Sequence, residues 1–234
     1  MIVTEDMNQL PRIWYHGTTS LHLPSFNDKG ISITAAPRER RTDFGRGFYL
    51  TSNWEQAYKW AIGASERERD ENPQKPIVPI IVECEVHTEA FSRLENKMFT
   101  HTDLEWAKFI LDNRIYNHDP SYPKRGRVNP KAKPVFRFTD DIVDEQEIMD
   151  DSPFHCVYGP MADGRRLKIF LERVRRGHMT AEEFLEKAVS QKYKFPVSHQ
   201  LSINTFEAVH YVQLKGVFDI AEGKWQHPVT AKEA

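Results

Sequence analysis

Residues 43–51 read DFGRGFYLT, and this stretch places a strong constraint on the fold. It contains two of only 11 glycines among 234 residues, and an aromatic, apolar run follows the second glycine. Glycine allows the positive φ angles and the close backbone approaches of tight turns, while aromatic residues favour strands. The pattern therefore predicts a tight turn that leads directly into a short strand.

Strand patterns occur elsewhere in the chain at irregular intervals. Residues 77–86 (IVPIIVECEV) form the clearest strand pattern, and Pro79 predicts that pairing begins only after it. The other predicted strands are residues 13–16, closed by Gly17-Thr18-Thr19, residues 154–158, ended by Gly159-Pro160, and residues 199–203.

Apolar residues at helical spacing lie between these strands. The predicted helices start near Trp54 and at Thr102 or Asp103, span residues 165–176, start at the capping box of residues 180–183, and end at Val209. Residues 21–42 and 116–134 are predicted to be loops, and the residues up to Pro11 and from Gly223 are predicted to be peripheral. Because strands and helices do not repeat as βαβ units, we expect an α+β fold, and 234 residues are enough for one large domain or two small ones.

Composition limits the partners and the compartment. The 32 basic and 34 acidic residues give a net charge of −2, which does not favour nucleic acid or a membrane as a partner, apart from a local basic patch at residues 124–133. The chain lacks a signal-peptide pattern and an apolar run of about 20 residues. We expect a cytoplasmic protein, or an effector secreted into a host cytosol. Cys84 and Cys156 are expected to be buried thiols, and no metal site is expected.

Three short blocks contain the candidate functional residues: YHGT at residues 15–18, DFGRGFYLT at 43–51, and HQLS at 199–202. Taken singly, each has an ordinary structural interpretation. A histidine before a glycine is more often a hydrogen-bonded structural residue than a catalyst. A tyrosine within FYL is more often part of the core, and a glutamine in an alternating strand is usually on the surface.

Together and in this order, the blocks resemble the nicotinamide-binding core of ADP-ribosyltransferases with a His-Tyr-Glu triad. The chain is most similar to a bacterial and fungal branch with YHGT, DFGxGFYLT and QAxxWA blocks and a later strand that begins with Gln. Residues 56–61 read QAYKWA, and the GPMAD block at 159–163 and Asn113-Arg114 also resemble that branch. The resemblance implies a single domain, 1–234, that forms a split β-sandwich with surrounding helices, with NAD in the cleft between the sheets.

The resemblance also implies roles for the residues that bind NAD. Gly17 would hold the nicotinamide amide with its backbone N–H and C=O, because glycine permits the close approach of a ligand, and His16 and Thr18 would orient the dinucleotide. Tyr49 would stack on the nicotinamide ring, and Tyr15 or Phe44 would supply a second aromatic wall.

Other residues have two interpretations each. Arg46 is as well explained by a solvated loop as by a contact with the pyrophosphate of NAD, and the basic run at 38–41 is more often a solvated face. Gln200 takes the place of the catalytic glutamate, which leaves the catalytic strength open because a neutral amide is a poor base. Asp163 and Glu207 are candidate replacement carboxylates, and Asp163 is equally well explained as a helix cap.

The resulting hypothesis is a mono-ADP-ribosyltransferase that transfers ADP-ribose from NAD, without a metal, to a protein acceptor. For a secreted effector, the candidate acceptors are a threonine or an arginine of a host protein, and small regulatory proteins such as ubiquitin are targets of some similar effectors. Two alternatives remain at this point: a catalytically inactive domain that binds NAD or a partner, and an NAD glycohydrolase toxin that transfers ADP-ribose to water.

Overall fold

The structure is a computed structural model that describes residues 6–33, 42–115, 152–162, 164, 166–189 and 198–226. The strands are β1 Ile13–Thr19, β2 Phe48–Leu50, β3 Pro79–Val86, β4 Asn96–Met98, β5 Cys156–Pro160, β6 His199–Ile203, β7 Val212–Asp219 and β8 Lys224–Gln226. The helices are α1 Leu23–Lys29, α2 Trp54–Glu71, α3 Thr88–Phe91, α4 Leu104–Arg114, α5 Leu167–Arg175, α6 Ala181–Val189 and α7 Phe206–Val209. These elements confirm an α+β fold.

The strands form two sheets of four strands each. The first has the order β1-β3-β7-β8 and is antiparallel throughout. The second has the order β2-β6-β5-β4, in which β4 and β5 run parallel and the other pairs antiparallel. β1 and β2, which carry the YHGT and FYL segments, are therefore both edge strands.

In the described part of the chain, alternation along the strands divides the apolar residues among three cores. The largest core lies between the sheets and receives residues from both, including Trp14, Val82, Leu50 and Leu201. A second core covers the outer face of the β2-β6-β5-β4 sheet, where Val157 packs against α4, α5 and α6. On the outer face of the other sheet, Ala57 and Ala61 of α2 pack on Ile81. The result is two packed sheets with a helix layer on each outer side.

The predicted starts of α4 and α6 are confirmed, together with the hydrogen bonds that cap them. Asp103 caps α4 by accepting a hydrogen bond from Trp106 N at 2.8 Å. The predicted capping box is reciprocal: Thr180 N donates to Glu183 Oε2 at 2.8 Å, and Glu183 N donates to Thr180 Oγ1 at 3.2 Å. Cys84 and Cys156 are free and buried, as predicted.

Other predictions were wrong in position. β1 continues through Thr19 and β5 through Pro160, because both strands still have partners at their glycines. Residues 21–42, predicted to be loop, contain α1, which tolerates Pro24 in its first turn. Among the N-terminal residues predicted to be peripheral, Met7 and Leu10 are each only 5% exposed and belong to the inter-sheet core.

β7 and β8 were not predicted at all. β7 is the longer, and its burial does not alternate cleanly, since Gln213 and Lys215 are exposed while Gly216 and Val217 are buried. Its ladder with β3 is also irregular between Glu83 and Cys84. A register shift of this kind breaks the period of two that identifies a half-buried strand in a sequence.

Candidate functional site

The free edge of β1 is established by the hydrogen bonds at its two ends. Val86 N donates to Arg12 O at 2.7 Å, and Ser20 N donates to Val78 O at 2.8 Å. In an antiparallel ladder the bonded pairs alternate, so the even-numbered residues of β1 bond to β3 and the odd-numbered ones face away from it. The backbone N–H and C=O of Gly17 therefore point to the side of β1 opposite β3.

On this side of β1, Tyr15 binds the backbone of Thr51. Tyr15 N donates to Thr51 O at 2.8 Å, and Thr51 N donates to Tyr15 O at 2.9 Å. This bridge joins the YHGT and DFGRGFYLT blocks directly. Since Gly17 lies two residues further along the same edge, its amide and carbonyl point to the same side of β1 as those of Tyr15, and the antiparallel register places them opposite Tyr49 of β2.

His16 lies on the face of β1 that looks toward the other sheet. Its Nδ1 is 2.7 Å from Tyr49 O, and its ring packs on Phe48 with centroids 4.4 Å apart. Because a carbonyl only accepts, Nδ1 must carry the proton, and in the neutral ring Nε2 is then an acceptor. The bond to Tyr49 thus fixes both the position of the ring and its tautomer.

α2 lies directly against Gly17 and leaves no space for a side chain at this position. A Cβ at this position would overlap the Ala57 carbonyl oxygen and lie 2.8 Å from Ala61 N. We expected this glycine to allow a ligand to approach; in the structure, the space that it leaves is filled by helix backbone instead. The small residues of the QAxxWA block have the same explanation, and the edge N–H and C=O are unaffected by it.

The side chains of Tyr15 and Thr18 lie on opposite faces of β1. Tyr15 is half-buried on the α2 side, edge-on to Trp54 at 5.1 Å. Burial, and secondly the nearby Glu83, raise the pKa of Tyr15. Thr18 is buried on the same face as His16. The side chains of Tyr15 and His16 therefore lie on opposite faces of β1.

The DFGRG segment is a turn that Tyr49 holds closed. Gly45 has φ of 82°, in the region that favours glycine. The Tyr49 hydroxyl donates to Gly45 O at 2.6 Å and accepts from Phe44 N at 3.0 Å. Burial of this hydroxyl raises the pKa of Tyr49 to about 12. Its ring packs against the second core, on the outer face of β2, whereas His16 contacts the Tyr49 backbone from the inner side.

The other residues of this turn are in contact with protein atoms. A Cβ on Gly47 would overlap Asn204 Oδ1 and lie 2.7 Å from Ile203 O, so this glycine is required by β6 and not by a ligand. Phe44 is 2% exposed and packs beside Phe99 and Phe109, so its predicted place in a nicotinamide wall would require the ring to leave the core. Arg46 is partly buried, and its role in binding pyrophosphate stays a prediction.

Asp43, a residue that sequence reasoning passed over, is at the centre of a buried polar network. Its carboxylate accepts hydrogen bonds from Gln200 Nε2 at 2.8 Å, from Ala162 N at 2.8 Å and from Arg114 Nε at 2.5 Å. Asp43 is 2% exposed and Gln200 is 4% exposed. Gln200, predicted to be catalytic, thus has its amide donor bound to a carboxylate on the outer face of β6.

The network explains two motifs that sequence reasoning noticed without a physical account. Asn113 Nδ2 donates to the backbone oxygen of Asp43 at 3.2 Å, so the Asn113-Arg114 pair at the end of α4 binds both the carbonyl and the carboxylate. The GPMAD block supplies Ala162 N. An aspartate that opens a glycine turn, with an arginine at a helix end, is the sequence signal for such a network.

The remaining candidate residues contribute less to this geometry. Asp163, residues 38–41 and the loop at 116–134 lie outside the described residues. Glu207 is exposed on α7, with Oε2 3.6 Å from His155 Nδ1, and contacts neither block. In the described part of the chain there is no group of three or more His, Cys, Asp and Glu side chains arranged to hold a metal ion. Nor does any helix there have the length and apolar character needed to span a membrane.

Comparison with known proteins adds the family. A family model described as a protein of unknown function, DUF3990, matches residues 14–214. The chain belongs to the DUF3990 family. The matched residues run from β1 to β7 and include both the edge of β1 and the Asp43 network. No curated protein and no solved structure matches this chain.

Proposed function

We propose that this DUF3990 protein is a mono-ADP-ribosyltransferase that transfers ADP-ribose from NAD to a protein acceptor and releases nicotinamide. The observation that carries the proposal is the edge of β1, where the N–H and C=O of Gly17 face away from β3 beside His16. A primary amide such as nicotinamide has one acceptor oxygen and a donor NH₂, which is the complement of these two backbone groups.

The fold is compatible with this proposal. Two four-stranded sheets pack against each other with helices outside, as expected for a split β-sandwich of the ADP-ribosyltransferase type. The YHGT and DFGRGFYLT blocks meet at the Tyr15–Thr51 bridge. The strands that carry His16, Tyr49 and Gln200 are thus neighbours, because β1 meets β2 at this bridge and β2 pairs with β6.

In the proposed reaction, the bond between the nicotinamide nitrogen and ribose C1′ breaks, and nicotinamide leaves with the bonding electrons. An acceptor oxygen or nitrogen then forms the new bond to C1′ and loses its proton to solvent. The transition state carries positive charge on the sugar. Gly17 and His16 would hold the dinucleotide in place, and positioning alone lowers the barrier substantially.

A second candidate function is NAD binding without turnover. It is favoured by the hydrogen bond between Gln200 Nε2 and Asp43 Oδ2, which occupies the amide donor at the position where a catalytic glutamate is implied. A neutral side chain gives weaker electrostatic stabilisation of positive charge than a carboxylate. NAD binding and NAD cleavage therefore have to be measured separately.

The test uses NAD labelled in its adenylate part and NAD labelled in nicotinamide, with purified protein alone and with cell lysate. Wild type, His16→Ala, Tyr49→Ala and Gln200→Ala are compared. His210→Ala is the control, because His210 is exposed at the end of α7, away from both blocks. We expect label on a lysate protein with wild type and the control, and a loss of more than about ten-fold with His16→Ala.

Three other outcomes reject the transferase. Nicotinamide released without a labelled macromolecule indicates the glycohydrolase. NAD that binds but stays intact in every lysate indicates the binding domain. If the folded protein neither binds nor cleaves NAD, then NAD is not its ligand.

A further inference from the structure

Asp43 and Gln200 form a buried pair that carries a single negative charge. Gln200 Nε2 lies 2.8 Å from Asp43 Oδ2, and both residues are almost fully buried. A carboxylate only accepts hydrogen bonds, so the residue at position 200 must present a donor toward it. Glutamine satisfies this requirement, and an ionised glutamate does not.

The charge at Asp43 is matched by the groups around it. Arg114 Nε and Ala162 N donate to the same carboxylate, and the Arg114 side chain is only 22% exposed. The negative charge of Asp43 and the positive charge of Arg114 therefore cancel, and the neutral amide of Gln200 adds no charge. A second carboxylate at position 200 would place two anionic oxygens in contact within a buried site, where like charges are costly.

The contact also fixes the orientation of the Gln200 amide. With Nε2 bound to Asp43, the planar carboxamide turns Oε1 away from Asp43. A hydrogen bond from the amide to a carboxylate polarises the amide and makes its oxygen a stronger acceptor. Gln200 Oε1 is then suited to accept a hydrogen bond from a hydroxyl group, and NAD carries such hydroxyls on the ribose that is attacked.

We propose that Asp43 supplies the negative charge of this site and acts as a positioning residue, holding Gln200 so that Oε1 accepts a hydrogen bond from a ribose hydroxyl of NAD. The charge assignment stands on the structure alone, whereas the ribose contact rests on the proposed function.

The charge assignment is tested by exchanging the two residue types. Thermal unfolding is measured for wild type, Gln200→Glu and the double variant Asp43→Asn/Gln200→Glu, with Gln226→Glu as the control, since Gln226 is exposed on β8. At pH 8 we expect Gln200→Glu to unfold more than about 5 °C below wild type. The double variant should regain part of this loss, because the amide introduced at position 43 can donate to the carboxylate introduced at position 200. The recovery is partial because the exchange also changes the acceptors that Arg114 and Ala162 N contact.

The pH dependence gives a second, independent readout of the same assignment. In Gln200→Glu, the two carboxylates must share a proton, so the folded pair has a raised pKa. Stability from a raised pKa is present at low pH and is lost as pH rises above the unfolded value of about 4.3 for Glu. The deficit of Gln200→Glu should therefore shrink by at least about 3 °C between pH 8 and pH 5. A deficit that is independent of pH, together with a double variant no more stable than Gln200→Glu, overturns the charge assignment.

The ribose contact is tested by nicotinamide release from NAD at steady state. Asp43→Asn and Gln200→Ala should each lower kcat at least about ten-fold with KM changed less than about two-fold, and Asp28→Asn on α1 is the control. If Asp43 acts through Gln200, the double variant Asp43→Asn/Gln200→Ala should be no slower than the slower single variant. Effects that multiply contradict the positioning role. A wild type that binds but does not cleave NAD overturns the ribose contact and the transferase together, and leaves the charge assignment to the unfolding data.

Discussion

The edge of β1 and the Asp43 network both present polar groups next to a glycine, yet they differ in what those polar groups contact. At β1, the backbone groups of Gly17 point away from the sheet, and His16 is only partly buried. Around Asp43, three donors from three separate parts of the chain converge on one buried carboxylate. The first region leaves backbone groups open to the ligand of the proposed function, whereas the second connects separate parts of the chain.

This difference changes the interpretation of the DFGRGFYLT block. Its glycines and Phe44 contact protein atoms, and the Tyr49 hydroxyl closes the turn. The block therefore contributes to a site mainly through the backbone of Tyr49 and Thr51, which bind His16 and Tyr15. A short motif that contains a functional residue can thus consist mostly of the residues that position it.

The largest effect on stability is expected from breaking the buried network. Asp43→Ala leaves Arg114, Gln200 and Ala162 N without their acceptor, and loss of one partner of a buried ion pair costs about 3–5 kcal/mol. Urea unfolding measures the loss. Asp28→Ala on α1 is the control, because Asp28 is exposed. A loss below about 1 kcal/mol for Asp43→Ala would show that the network contributes little.

A smaller loss is expected where β1 meets α2. Gly17→Ala places a Cβ against the backbone of Ala57 and Ala61, and overpacking of this kind costs about 1–3 kcal/mol. Gly63→Ala in the same helix is the matched comparison, because its Cβ would have only Arg67 Nη1 nearby, at 3.6 Å. That change should stabilise the protein by about 0.5–1 kcal/mol. Equal effects of the two changes in urea unfolding would show that the close approach of α2 is not tight.

The sequence predicted the parts of these regions that depend on local pattern. Capping residues identified the starts of α4 and α6, and the β-branched run identified β3. The Asp43 network was not predicted, because Asp43, Arg114, Ala162 and Gln200 come from four distant segments. The close contact between Gly17 and α2 was also missed. In a sequence, a glycine that makes room for a ligand looks the same as one that makes room for a helix, and only the packing of α2 distinguishes them.

Raising the pH should lower the free energy of unfolding of the whole fold in two stages. Burial raises the pKa values of Cys84 and Cys156, and raises the pKa of Tyr49 to about 12. Because these pKa values are raised, the stability that they contribute is present at neutral pH and is lost as pH rises, from about 8.5 for the thiols and from about 10 for Tyr49. Each group contributes up to about 1.4 kcal/mol per pH unit.

Tyr49→Phe isolates the second stage. The free energy of unfolding of wild type should fall more steeply than that of Tyr49→Phe between about pH 10 and pH 12, measured by urea unfolding. Parallel curves over this interval would contradict the buried state of the Tyr49 hydroxyl.

The smallest effect on stability is expected at His16. His16→Ala removes one partly buried hydrogen bond to Tyr49 O, which is worth about 0.5–1.5 kcal/mol. NAD affinity, measured by calorimetry, should nevertheless fall more than about ten-fold, because in the proposed function the ring orients the dinucleotide. A large loss of stability with unchanged affinity would assign His16 to the structural region instead.

The most direct test of the ligand edge is an amide-resolved NMR titration of the wild-type protein with nicotinamide and with NAD. We predict that the amide signal of Gly17 shifts in both titrations, while that of Gly216 on β7 stays in place. An unshifted Gly17 amide at saturating NAD, or shifts confined to residues far from β1, would contradict the claim that this edge binds the nicotinamide end of NAD.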